Sequence, residues 1–179
     1  AMAETNHKAR GFHLDVSLAP GSLVKAVTIL DQHKFFIETI TGVDWLGEKE
    51  ARRKEAAAAA AAAAKAAKAK AAEGEGEAAA PAQAPAEPAP EPGPAGPDDL
   101  EAVYDFNHYA ALCRVTLRVR VPRDNPVVPT ISDIYQAAHW HERETREFFG
   151  FTFEGHPYPV PLLLPEDADF HPLRKDYQP

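Results

Sequence analysis

The chain has 179 residues and a formal net charge of −8, a balance that argues against general binding to nucleic acid or anionic membranes. Its one cysteine, Cys113, can form no internal disulfide and cannot by itself hold an iron–sulfur cluster. No apolar run has the length and bulk of a membrane span; much of the 45% hydrophobic content is alanine, unbroken from Ala56 to Ala64.

Ala1 before Met2 reads as a remnant of tag removal and says nothing of the fold, and no secretory signal is visible near the N-terminus. His13 to Val16 reads as a short strand. Pro20-Gly21-Ser22 offers a helix start, and Leu23, Ala26, Val27 and Leu30 follow at helical spacing, which predicts a helix over 21–33 with one buried face. Phe35 to Ile40 alternates and is rich in aromatic and β-branched residues, so a strand is predicted there, closed by Thr41-Gly42-Val43-Asp44-Trp45.

A composition break follows. Glu48 to Ala72 is nearly all Ala, Lys, Arg and Glu, which are strong helix formers. Glu73 to Glu77 alternates Glu with Gly, and Ala78 to Pro97 is rich in Pro and Ala, which favours extended chain. Without large apolar side chains this stretch has nothing to bury against its ordering entropy. Residues 49–97 are therefore read as a low-complexity insertion, disordered or partly helical, between an N-terminal part (1–48) and a C-terminal part (98–154) of one domain.

Ala102 to His108 and Leu112 to Val121 read as two strands joined by Tyr109-Ala110-Ala111, an antiparallel pair. In the second, Cys113, Val115, Leu117, Val119 and Val121 share one face, and Arg114, Thr116, Arg118 and Arg120 the other. This predicts a sheet with one face on the core and one basic face covered by a helix or an acidic neighbour. Pro122 to Pro129 is a proline-punctuated loop. Ser132 with Asp133 marks a helix start and Gly150 a stop, with Ile134, Ala137, Ala138, His141, Thr145 and Phe148 near one face. Phe151-Thr152-Phe153 resumes extended chain. Residues 155–179 are proline-rich and aperiodic yet carry Leu162, Leu163 and Leu164, which predicts an extended tail docked on another surface.

Four stretches, in order and spacing, resemble the 30-kilodalton subunit family of respiratory NADH:quinone oxidoreductase (complex I). They are Thr41 to Trp45; Val103 to Phe106 with Arg118 to Pro122; Pro129 to Ile131 with Ile134-Tyr135 and Trp140 to Thr145; and Phe149 to Pro157 with Leu163 to Asp167 and His171 to Tyr177. Two places depart from the family pattern: Arg146-Glu147 replaces an aromatic residue and Asp, and Pro159-Val160-Pro161 stands where a basic pair is usual. The resemblance implies an α+β fold: a small mixed sheet, flanking helices and an extended Pro-rich C-terminal tail. It also implies a structural subunit with no catalytic, metal or cofactor ligands of its own, NAD, FMN, iron–sulfur clusters and quinone belonging to partner subunits. The expected partners are the quinone-pocket large subunit (49 kDa type) and iron–sulfur subunits, on the cytoplasmic side of a bacterial membrane. An accessory subunit of a membrane-bound [NiFe]-hydrogenase or formate-linked complex is the alternative. The family motif assigns partner docking to Glu142, Arg143, Glu144, Gly150, His156, Pro157, His171, Pro172, Arg174, Lys175, Asp176 and Tyr177.

Other chemistry fits these residues less well. Glu142-Arg143-Glu144 could suggest acid–base catalysis, but consecutive helical residues diverge by about 100° and do not converge on one atom. His139 and His141 share no helical face; His141 and Glu144 do, but two ligands are too few for a metal. Ala64 to Lys70 resembles a histone-like tail, which would neutralise phosphates, but an acidic stretch begins at Glu73.

Overall fold

The computed structural model describes residues 1–48 and 98–178. The chain divides into two compact units, Ala1–Leu46 with Pro92–Pro179, and Gly47–Glu91. The first carries every element named below. The helical and extended expectations for 49–97 lie outside the described residues.

A five-stranded mixed sheet forms from β1 (Met2–Glu4), β2 (Leu14–Leu18), β3 (Phe36–Asp44), β4 (Leu100–His108) and β5 (Cys113–Val121), in the order β1-β2-β5-β4-β3. Strands β2 and β5 run parallel and every other pair antiparallel. Helix α1 (His7–Arg10) is capped by the Asn6 side chain, and α2 (Leu23–Gln32) follows a 3-10 turn at Pro20–Ser22. After β5 come β6 (Val127–Pro129), α3 (Ala138–Phe149) and β7 (Thr152–Glu154); β6 and β7 pair in parallel as a separate two-stranded sheet.

The alternation read from the sequence sets the core. Leu100, Ala102, Tyr104 and Phe106 of β4 and Val115, Leu117, Val119 and Val121 of β5 are buried on one face. Leu23 and Val27 of α2 and Ala138 and Phe149 of α3 join the same cluster. Each fully buried Leu, Val or Phe contributes about 1.5–3 kcal/mol by leaving water. The opposite face carries a charge ladder. Arg118 meets Asp15 at 2.9 Å and Glu101 at 3.4 Å, Arg120 meets Glu101 at 3.3 Å, and Arg114 meets Glu38 at 2.6 Å. The basic strand face is thus neutralised from within the sheet, by β2, β3 and β4.

Several expectations shift. Strand β3 runs on to Asp44, so the expected closing residues Thr41 to Asp44 are strand, held by register against Leu100 to Val103. Trp45 N–H then donates to Asp99 O at 3.1 Å. The chain leaving β3 and the chain entering β4 therefore sit side by side at one end of an antiparallel pair, so a long connection between them costs little entropy. The proline-punctuated loop contains β6. Residues 2–10, unread in the sequence, supply an edge strand and a helical turn.

The helix expected from Ser132 starts at Ala138. Ser132 does not cap it, because its hydroxyl pairs with Thr130 Oγ1 at 2.9 Å. The Ile131 carbonyl instead receives turn bonds from Ile134 and Tyr135 N–H, and the Tyr135 hydroxyl donates to Phe35 O. The buried residues of α3 are Ala138, Glu142, Arg143, Thr145, Glu147 and Phe149, a more charged face than the apolar spacing predicted.

Gly42 explains how α3 reaches the sheet. A Cβ placed there would lie 2.5 Å from the Phe149 ring. Gly42→Ala should therefore lower stability by about 1–3 kcal/mol through overpacking, read as a lower urea midpoint. Adding Phe149→Leu should recover part of the loss, and strictly additive effects would show the two positions are not in contact.

Candidate docking site: helix α3 and the C-terminal segment

The motif residues from 142 onward converge on one unit, in which the charged side chains of α3 bond the backbone of the segment after β7. Among the described residues, 155–178 contain turns and bends with no helix or strand. In place of an extended arm, turns close at Ala168 N–H to Pro165 O, Arg174 N–H to His171 O and Tyr177 N–H to Arg174 O.

Glu147 is the central latch. Its carboxylate accepts from the N–H groups of Leu162 at 2.9 Å, Leu163 at 2.9 Å and Leu164 at 3.2 Å. Three successive amides pointing at one point form a natural anion cradle. Arg143 donates from Nε to Val160 O and from Nη2 to Pro161 O, both at 2.8 Å. The two residues hold five consecutive backbone units, 160 to 164, on α3. The prolines at 159 and 161 leave no N–H there to satisfy, so carbonyls and amides separate cleanly between the arginine and the glutamate.

The end of α3 is closed by the same segment. His171 Nδ1 bonds Glu147 O at 2.9 Å, Leu173 N–H bonds Phe148 O at 3.1 Å, and Arg174 Nε bonds Phe149 O at 2.6 Å. These satisfy helix carbonyls that otherwise face water. Gly150 adopts a left-handed φ of 77°, and a Cβ there would meet Arg174 and His171 within 2.7 Å. Further on, buried Asp44 accepts from Arg123 Nη1 and Nη2 at 2.7 and 2.8 Å, from Leu46 N–H and from Lys175 N–H. Arg123 also pairs with Asp176 at 2.9 Å, holding the Asp176 carboxyl below its ordinary range. Lys175 Nζ reaches Leu46 O.

Glu142 is 0% exposed. One carboxylate oxygen accepts from Ile131 N–H at 2.8 Å and the other from the Thr130 hydroxyl at 2.5 Å. Burial raises its pKa from 4.5 to about 7, with the two donors opposing and Asp133 adding to the rise. His156 Nε2 lies 3.9 Å from Glu142 and 3.3 Å from His139 O, and Nδ1 accepts from Tyr158 N–H. An acceptor at Nδ1 fixes the neutral Nε2–H tautomer, and burial lowers the His156 pKa. The fully buried Tyr104 hydroxyl is raised well above 10, by burial and then by the Glu142 charge.

Of the motif residues, Glu144, Pro157, Lys175 and Asp176 are exposed, while Trp140 and Tyr158, 58% and 56% exposed, flank the Arg143 guanidinium at 5.3 and 5.4 Å. Pro172 is half-buried, and Tyr177 stacks on Phe170 with ring centres 5.5 Å apart. A reading of Glu142-Arg143-Glu144 as surface charge holds for Glu144 alone. Among the described residues no group of three or more His, Cys, Asp or Glu is placed to hold a metal ion, and no helix is long and apolar enough to cross a membrane. Sequence reasoning missed Thr130, Glu147, Asp44 and Arg123. Their partners lie far along the chain or are backbone groups, and neither leaves a local pattern.

Two measurements check this geometry. The folded protein keeps the Glu142 proton up to about pH 7, whereas the unfolded chain releases it near 4.5. The associated stability is therefore complete below 4.5 and is lost as pH rises through about 7. Buried His156 acts in the opposite sense, so the comparison isolates Glu142: from pH 5 to 8 the urea midpoint of the wild type should fall relative to Glu142→Gln. Parallel curves would refute the assignment. Separately, Glu147→Ala removes the acceptor of three part-buried amides and should lower stability by about 1–3 kcal/mol. Hydrogen exchange at Leu162 to Leu164 should accelerate with β4 and β5 unchanged; unaltered exchange at 162–164 would show that Glu147 is not the latch.

Comparison with known proteins accords with this architecture. A family model described as respiratory-chain NADH dehydrogenase, 30 Kd subunit, matches residues 16–179. An NADH-quinone oxidoreductase subunit of Mycobacteroides abscessus is 42% identical over 85 residues, 45% of this chain and 37% of that protein. An F(420)H(2) dehydrogenase subunit of Methanosarcina mazei is 44% identical over 82 residues, 45% of this chain and 52% of that protein. The chain thus spans about a third to a half of the length of these curated relatives. A chain of the membrane-bound sulfane sulfur reductase, an archaeal respiratory membrane complex, shares the fold, with a TM-score of 0.57 at 22% identity over 92% of this chain and 71% of that one.

Proposed function

Because the chain belongs to the 30 Kd subunit family of respiratory-chain NADH dehydrogenase, we propose that it is a non-catalytic structural subunit in the peripheral arm of a respiratory NADH:quinone oxidoreductase. In this reading it packs on the quinone-pocket large subunit and beside iron–sulfur subunits, which carry NAD, FMN, clusters and quinone. It supports electron transfer to quinone and the coupled proton translocation without taking an electron itself.

The observation that carries the reading is the use made of the motif from Glu142 to Asp176. A charged, buried helix face is given over to fixing an irregular segment, which leaves Trp140, Tyr158, Leu163 and Leu173 exposed on a rigid support. Exposed aromatic and apolar side chains whose backbone is already ordered lose little entropy on association, which suits a permanent interface. Glu144, Pro157, Pro172, Lys175, Asp176 and Tyr177 serve the same surface, with Gly150, His156, His171 and Arg174 shaping it from beneath.

The similarity to the F(420)H(2) dehydrogenase protein equals that to the NADH-linked relatives. This supports a second reading: the same structural role in a related membrane complex with a different electron donor, the hydrogenase-type or formate-linked assembly included. The tagged full chain should co-purify from gently solubilised native membranes with flavin- and cluster-bearing subunits, at about one copy per complex. NADH oxidation by that preparation selects the first reading and activity with another donor the second. Recovery of the chain only as a free monomer would sink both.

A further inference from the structure

Arg146 sits between Thr145, which packs toward β3, and Glu147, which holds the tail. The other arginines of this region have acceptors: Arg143 bonds Val160 and Pro161 carbonyls, Arg174 that of Phe149, and Arg123 the Asp44 carboxylate. Arg146 is half-buried and meets no hydrogen-bond acceptor or carboxylate among the described residues. It lines a cleft of about 220 Å³ between the end of α3 and the tail, walled by Phe151, Leu164, Pro165 and Phe170 with His171 at the side.

Three features define what the cleft accepts. Its volume is below that of ordinary cofactor and small-molecule pockets, about 300–1,000 Å³, and suits a side chain. Glu147 also lines it, but that carboxylate is engaged by three amides and disfavours a dianion such as phosphate. His171 Nδ1 faces the acceptor-only Glu147 carbonyl, so Nδ1 carries a proton and the ring forms a polar wall. What remains is one guanidinium fork in a cleft of mixed lining, with Phe151, Leu164 and Phe170 on its wall, matched to a single carboxylate with an apolar neighbour.

We propose that this cleft seats an aspartate or glutamate side chain of a neighbouring subunit, its carboxylate paired bidentately with Arg146 and its flanking apolar residue against Leu164 and Phe170. The inference rests on the reading of the chain as an assembly subunit and names the chemistry of one contact in it. The pair desolvates a half-buried charge that the chain alone leaves without an acceptor, so its loss acts mainly on dissociation.

The test uses the assembled complex. p-Benzoylphenylalanine replacing Phe170, itself 39% exposed, should cross-link to a peptide of another subunit that contains Asp or Glu beside an apolar residue. Arg146→Gln should abolish that cross-link and speed release of the chain from the complex on the order of 10-fold or more. Arg146→Lys, which keeps charge without the fork, should fall between. The thermal midpoint of the free chain should be unchanged in both variants, which separates docking from folding. Cross-links only within the chain, or to a peptide without an acid, would overturn the proposal, as would unaltered release of Arg146→Gln. Loss of the cross-link to phosphate but not to chloride of equal ionic strength would reassign the cleft to a free anion. If the wild-type complex forms and only the Arg146 results are negative, this inference fails and the assembly reading stands; if no complex forms, both fail.

Discussion

A stretch of chain with neither helix nor strand cannot satisfy its own amides and carbonyls, and wherever it packs against protein those groups need partners. The residues after β7 face that constraint over their whole described length, and the arrangement of α3 answers it. Glu147 takes the three donors of Leu162 to Leu164, and Arg143 supplies the donors for Val160 and Pro161. The segment in turn completes the helix at its other end, where His171, Leu173 and Arg174 bond the last carbonyls of α3. Each half is incomplete without the other.

Burying these charges is costly in isolation, and the backbone groups of the tail that meet them offset that cost. What charge provides is register. A carboxylate that fits three successive amides, or a guanidinium that fits two successive carbonyls, accepts one alignment of the tail and penalises a slip by a residue. Asp44 repeats the device at the far end, joining β3 to Arg123 and to the Lys175 amide. The result is a surface whose exposed Trp140, Tyr158, Leu163 and Leu173 are positioned in advance, although the backbone beneath them is irregular.

Glu142 belongs to the same system but lies deeper. Its two donors come from Thr130 and Ile131, so it ties the start of α3 to the chain leaving β6. Three buried acidic residues, Asp44, Glu142 and Glu147, thus anchor α3 and the tail to three places. Glu142 has no cationic partner within salt-bridge distance other than a neutral histidine, and burial is the leading cause of its raised pKa.

By itself the sequence determined what depends on local period and local order. Alternation in Cys113 to Val121 gave the core face of the sheet, and apolar spacing from Leu23 to Leu30 gave α2. Gly150 marked the end of α3, and the ordered motifs from Thr41 to Tyr177 gave the family. Only the tertiary structure decided which face of α3 is buried, where that helix begins, that β6 pairs with β7, and that the tail folds back on the domain. The physical reason is shared by the helix and the tail. Glu142, Arg143 and Glu147 are stable inside only because backbone groups distant in sequence meet them, and a side-chain-to-backbone bond across 11 to 18 positions has no signature in the residue types of the backbone it uses.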